Sequence, residues 1–156
     1  MKAIQVNGDE LEWADFAAAD CTAGTVKIRV HATAINRADL LQRAGGYPPP
    51  PGASPIMGLE CAGEVIEIGE GVQRCRVGDH VCALLAGGGY AEQVIVPAGQ
   101  VLAVPKGLSL VQAAALPEVF ATAYLNLYME GALQNGEKVI VHAGASAVSY
   151  THLRAH

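Results

Sequence analysis

Apolar and polar residues alternate most strictly over residues 26–34. Val26, Ile28, Val30, Ala32 and Ala34 share one face, and Lys27, Arg29, His31 and Thr33 the other. That period of two predicts a half-buried strand. His31 falls on the polar side and reads as a solvated histidine. Before this strand, residues 2–6 and 11–13 form short strand patterns joined across Asn7-Gly8, a pair suited to a tight hairpin turn. After it, Asn36 can cap a short helix through RADLLQRA, which stops at Gly45-Gly46. The proline-rich stretch from Tyr47 to Gly52 follows; its prolines fix φ and remove backbone donors, so it is stiff, extended and outside any sheet.

Beyond the proline loop, ECAGEVIEIG, GDHVCALL, GGYAEQVIVP and VLAVP give short strands punctuated by Gly and Pro, the rhythm of a small barrel or sandwich. Gly87, Gly88 and Gly89 precede a strand rather than a helix, which predicts a flexible turn and not a phosphate loop. The texture changes after Pro105. Ser109 and Gln112 stand at capping-box spacing, and after Pro117 the residues Val119, Ala123 and Leu127, beside Phe120, Tyr124 and Tyr128, form one helical stripe that ends at Gly131. A turn at QNGEK feeds the apolar run 139–141, which has the character of a strand buried on both faces of a parallel sheet.

At 156 residues the chain holds one domain, or one domain and part of another. With 51% hydrophobic and 16% charged residues it is too apolar for disorder, and no apolar run is long enough to span a bilayer. A net charge of −5 with scattered Lys and Arg argues against a nucleic-acid partner. The N-terminus lacks a secretory signal pattern, so a cytoplasmic location is expected. Cys21, Cys61, Cys75 and Cys82 form no C-x-x-C pair and read as buried or idle thiols, with no zinc site or disulfide framework.

The words INRADLLQRAGGYPPPPGAS, GLECAGEV, VGDHVCALLAGGGYAEQVIVP and LPEVFATAYLNL, in that order, resemble the zinc-independent quinone oxidoreductases of the medium-chain dehydrogenase/reductase superfamily. The resemblance runs from Met1 to about Ser146 and is nearest the tumour-suppressor-inducible branch of the zeta-crystallin-like enzymes. It implies a mainly β protein: a GroES-like, partly open β-barrel over residues 1–108, then the first helix and strand of a truncated α/β Rossmann domain over residues 109–147. In the intact fold a C-terminal segment returns to complete the catalytic domain, and the full-length protein is expected to be a homodimer.

The implied cofactor is NADPH and the implied partner a small quinone or other conjugated carbonyl. Asn36, Tyr47 and Thr122 would lie near the nicotinamide, and Gly144, Ala145 and Ser146 would begin the pyrophosphate turn. Each of the first three also has an ordinary reading: Asn36 as a helix cap, Tyr47 as a brace for the proline loop, Thr122 as a helix residue bonded back to a carbonyl. Glu60 reads as structural, satisfying loop donors or an arginine such as Arg37. No residue stands out as a general acid.

Zinc-dependent relatives carry Cys near the position of Asn36 and His where this chain has Leu59, and their four-cysteine lobe is missing; a zinc alcohol dehydrogenase is therefore not expected. Within the family's H-A-G-x-S-G-V-G turn, Ala147 and Ser149 replace the two glycines that follow Ser146. A β-carbon there obstructs the approach of backbone to a pyrophosphate. The last residues, VSYTHLRAH, resemble one reading frame of a transposase adapter used in sequencing libraries, so residues 148–156 are expected to be a non-native tail, with Ala147 at the junction. The chain by itself is then expected to bind NADPH weakly and reduce no quinone. Two other readings stand beside the first: an enone or enoyl-thioester reductase of the same superfamily, and a non-catalytic GroES-like binding module. The helix, apolar run and glycine turn after Pro105 argue against the module.

Overall fold

The computed structural model describes residues 1–8, 10–142 and 146. β1 (Lys2–Asn7) and β2 (Glu10–Asp15) form an antiparallel hairpin. Asn7 pairs with Glu10, so it belongs to the ladder, and the turn falls later than Asn7-Gly8, with Gly8 at φ 60°. Five further strands make one antiparallel sheet: β3 (Thr25–Thr33), β4 (Glu60–Ile68), β5 (His80–Leu84), β6 (Gln93–Pro97) and β7 (Val101–Ala103), in the order β6-β3-β4-β5-β7.

The alternation along β3 does what its period requires as far as Val30; a β-bulge between Val30 and Ala32 then turns Ala32 to the opposite face, and Ala34 lies beyond the strand, so the expectation of one shared face over 26–34 is corrected there. Val26 and Ile28 are fully buried, Val30 and Ala32 are half-buried, and Arg29 and His31 are exposed. Val26, Ile28 and Val30 join Cys61, Val65, Val81 and Ala83 in one core with Val94 and Val96 of β6 and Val101 of β7, whereas Ala32 packs with Ala62 and Cys82 on the other face. The two edge strands therefore share an interior although they do not pair, and the barrel is curled but open. On the sheet's outer face, α2 (Leu110–Ala113) sets Ala113 and the following Ala114 against Ala62 and Cys82, small side chains that let a helix approach closely. The hairpin is tied on separately. Ile4 N–H donates to the Tyr90 carbonyl at 2.8 Å and Glu92 N–H to that of Lys2 at 2.9 Å, around a small cluster of Ala3, Ile56 and Ala91.

α1 (Arg37–Arg43) starts and stops by local chemistry. The Asp39 carboxylate accepts from Asn36 N–H at 2.7 Å, and at the other end Gly46 N–H reaches the Leu41 carbonyl and Gly45 N–H that of Gln42. This reversal needs the left-handed backbone that Gly45 supplies at φ 77°. α2 is capped as its spacing predicts: Gln112 N–H donates to Ser109 Oγ at 3.3 Å, and Ser109 N–H to Gln112 Oε1 at 2.9 Å. Ser109→Ala is expected to remove about 1 kcal/mol of unfolding free energy, read in urea, because it orphans the Gln112 N–H.

α3 (Pro117–Tyr124) continues into a π-helical segment, Leu125–Glu130, which ends at Gly131. Its stripe divides: Val119 and Ala123 are buried, while Phe120, Tyr124 and Tyr128 remain 41–60% exposed. One further expectation needs correction. The glycines at 87–89 are not a flexible turn. They are buried, and Gly88 and Gly89 donate to the carbonyls of Ile56 and Gly58, so the absence of side chains serves close packing of two backbones. The apolar run 139–141 pairs with no strand among the described residues. A strand buried on both faces needs neighbours, and here Ile140 is 84% exposed.

Candidate functional site

The centre of the site is a carboxylate. Glu60 opens β4, is only 1% exposed, and places its side chain on the outer face of the sheet, between α1 and α3. Its Oε1 accepts from Asn36 Nδ2 at 2.7 Å, and its Oε2 accepts from the backbone N–H of Glu118 at 2.9 Å. Thr33 Oγ1 donates to the Glu60 carbonyl at 2.6 Å, fixing the main chain at the same point. Arg37 is not a partner; it is exposed at the start of α1, and neutral donors fill both oxygens instead.

The second of those bonds explains how α3 begins. Leu116, its cap residue, offers no side-chain acceptor, and Pro117 in the first turn has no N–H. The first free donor of α3 is therefore that of Glu118, and Glu60 meets it from 58 positions away in the chain. A carboxylate is the favoured partner for a helix N-terminus. Burial pushes the Glu60 carboxyl above its ordinary range; the Glu118 and Asn36 donors pull it down, and the charge of Asp39 raises it again. Glu118 is also raised, by burial first and then by Glu60 and Asp39.

Tyr47, 45% exposed, stands at the mouth of a cleft of about 200 Å³ whose walls include Pro49, Pro50, Leu59, Leu84 and Glu118. Glu118 thus borders the cleft with its side chain while its backbone holds Glu60, and Glu60 holds Asn36. Thr122 lies one turn further along α3, half-buried. Its carbonyl accepts from Asn126 Nδ2 at 2.8 Å, while its hydroxyl and that of Tyr47 bond to no group among the described residues. Gly144 and Ala145 lie outside the described residues, and Ser146 is exposed.

A larger groove of about 460 Å³ runs between the hairpin and β3, lined by Trp13, Ile35 and Leu40 among others. None of Asn36, Tyr47 or Thr122 borders it, and only Tyr47 of the three lines the smaller cleft. All four cysteines are free; Cys61, Cys75 and Cys82 are buried and Cys21 is partly so. Glu118 escapes notice in the sequence, where it is one acid in a helix's first turn. The Pro-Glu pair was the available signal, since proline at the first helical position leaves the next N–H seeking an acceptor.

An open antiparallel barrel with a short capped helix at one end and a helix leaving its outer face defines the class. Residues 22–106, more than half of the chain, match the family profile "Alcohol dehydrogenase GroES-like domain", and the chain belongs to that family. Its relatives place it in the medium-chain dehydrogenase/reductase superfamily. A curated relative, "Quinone oxidoreductase-like protein 2 homolog" of Nematostella vectensis, is 37% identical over 134 residues, covering 85% of this chain and 37% of that protein. Among solved structures, the human synaptic vesicle membrane protein VAT-1 homolog-like protein superposes with a TM-score of 0.90 at 32% identity, over 99% of this chain and 52% of that one. The CurK enoyl reductase superposes with a TM-score of 0.89 at 30% identity, over 99% of this chain and 50% of that one. The chain spans about half the length of these solved relatives.

Proposed function

We propose that this chain is the acceptor-binding part of an NADPH-dependent, zinc-independent reductase of quinones and related conjugated carbonyls. The observation that carries the reading is the cleft beside Tyr47: proline, leucine and alanine side chains make most of its walls, and Gln42, Tyr47 and Glu118 are its polar groups. Such walls suit the face of a flat conjugated ring, and few polar groups are needed to orient it.

Only Tyr47 of the three candidates lines this cleft; Asn36 and Thr122 are linked to it through Glu60 and the helix of Glu118, and the polar groups of all three fit a nicotinamide. Asn36 gives one amide N–H to Glu60 and keeps the other, while the hydroxyls of Thr122 and Tyr47 make no bond among the described residues. Asn36, Tyr47 and Thr122 are the proposed holders of the nicotinamide end, and the turn beginning at Gly144 the holder of the pyrophosphate. When bound, NADPH supplies a hydride. The chain's own part is to orient the acceptor, exclude water with the stiff proline loop and offer neutral donors to a developing oxyanion. Leu59, buried at the cleft wall, brings no metal-ligating atom to the position where zinc-dependent relatives carry histidine. A carbonyl that already delocalises negative charge does not need that Lewis acid.

The likeness to an enoyl reductase supports a second reading, with an enoyl thioester as acceptor. Both are tested in the full-length protein by following NADPH oxidation with a para-quinone, an aliphatic enone and an enoyl thioester, with and without a chelator. Quinone-dependent turnover that the chelator leaves unchanged is expected. Turnover confined to the thioester would replace the first reading by the second, and chelator-sensitive oxidation of an alcohol would end both.

A further inference from the structure

We infer that Glu60 is the positioning residue of this site: its one carboxylate fixes both the Asn36 amide and the N-terminus of the helix that carries Thr122. The inference rests on the reading of the site given above. It starts from a feature that packing does not require. Burying a carboxylate at the first residue of a strand is unfavourable unless every lone pair in use has a donor, and an apolar residue there would avoid the penalty altogether. Glu60 nevertheless sits at 1% exposure with two neutral donors and no cation among its hydrogen-bond partners.

The two donors come from the elements that carry the candidate residues. Asn36 precedes α1, and Glu118 is in the first turn of α3, one turn before Thr122. Neither helix start depends on the other through local sequence. α1 is closed by Asp39 onto Asn36 N–H, and α3 has no side-chain cap of its own. Glu60 is the shared point.

An ionised carboxylate only accepts, so it also selects which way the Asn36 amide faces. Nδ2 must turn to Glu60, and this leaves one amide hydrogen free of any partner among the described residues. Asn36 consequently offers a donor, suited to a carbonyl oxygen of nicotinamide or acceptor. A glutamine at position 60 has one accepting and one donating group, so it cannot satisfy two donors together: either α3 loses its anchor or the Asn36 amide rotates and offers its oxygen.

The test uses the full-length protein with Glu60→Gln, Asn36→Ala and the double variant Glu60→Gln/Asn36→Asp, in which the aspartate accepts from the new amide. Glu60→Gln is expected to lower kcat about 10- to 100-fold, the order associated with displacing a positioned group, with little change in melting temperature. The side-chain amide signal of Asn36, assigned by its disappearance in Asn36→Ala, should shift and exchange faster with solvent in Glu60→Gln. The double variant restores the bond between positions 60 and 36 but presents no donor to a carbonyl oxygen, so its melting temperature should match that of the unaltered protein while kcat stays low.

An unchanged Asn36 amide signal in Glu60→Gln overturns the inference, as does strict additivity in kcat when Glu60→Gln and Asn36→Ala are combined in a further double variant. If Glu60→Gln loses its fold, Asn36→Ala decides, since it spares the Glu60 bond to α3: full activity in that variant refutes a positioning role through Asn36. If the unaltered protein oxidises no NADPH with any acceptor, the proposed function fails instead. The amide signal and NADPH affinity then still judge Glu60, without turnover.

Discussion

Gly58→Ala is expected to lower the unfolding free energy by about 3 kcal/mol or more, the largest loss from any single added methyl group in the loops around the site. Two separate effects add. Gly58 has φ +101°, a backbone conformation that an L side chain enters at a cost of about 1–2 kcal/mol. A β-carbon there also falls 2.6 Å from both the ring Cδ1 and the backbone N of Tyr90, and 2.8 Å from the carbonyl carbon of Gly89. Tyr90 N–H is held by the Met57 carbonyl at 2.9 Å and Gly89 N–H by that of Gly58 at 3.0 Å, so the obstructing backbone cannot withdraw without breaking bonds. Overpacking of this kind adds roughly 1–3 kcal/mol.

Gly71→Ala provides the comparison: φ is +81° there, but nothing lies within 4 Å of the added carbon, so only the conformational cost of about 1–2 kcal/mol remains. Urea unfolding of the two variants separates the effects. Equal losses would show that residues 87–89 are as yielding as their composition suggests. Because Gly58 stands two residues before Glu60, the same substitution is also expected to disturb the site, reducing turnover beyond what instability explains.

How far the molecule was legible in its sequence follows from the range of the forces involved. β3 as far as Val30, α1 with its glycine stop and α2 with its serine cap are written in residues within a turn or a strand of one another, and they form as those residues predict; the bulge that turns Ala32 to the other face is set by the register with β4 and is not legible locally. The glycines at 87–89 were misread because what they do is decided by residues 54–58, whose approach no local pattern records. The run 139–141 has the composition of an inner strand, but a strand is a relation to neighbours, and the described residues supply none. Glu60 was read as structural, yet its partners were not foreseen: an amide 24 positions away and a backbone N–H 58 positions away become neighbours only when β4 is placed beside both helices. Asn36, Tyr47 and Thr122 are proposed through resemblance rather than through physics.

Alkaline titration supplies the second large effect. Cys61 is fully buried, and burial foremost, then Cys82 and Glu60, pushes its thiol from 9.0 up to about 12. In the unfolded chain the thiol ionises above pH 9, whereas in the folded protein it stays neutral for about three further units. Between those values the unfolded state binds fewer protons than the folded one, so stability falls as pH rises, by about 1.4 kcal/mol per unit and up to roughly 4 kcal/mol in all.

Below pH 9 this contribution vanishes, because the thiol is protonated in both states. Cys61→Ala removes the slope and gives up a buried sulfur comparable to one methylene, about 0.8 kcal/mol. The variant is therefore expected to be the less stable protein at pH 8 and the more stable one above roughly pH 10, where the lost slope exceeds the lost packing. Urea unfolding at a series of pH values locates the crossing. Parallel curves for the two proteins would mean that water reaches the thiol in the folded state, and that the barrel's open seam admits solvent to its core.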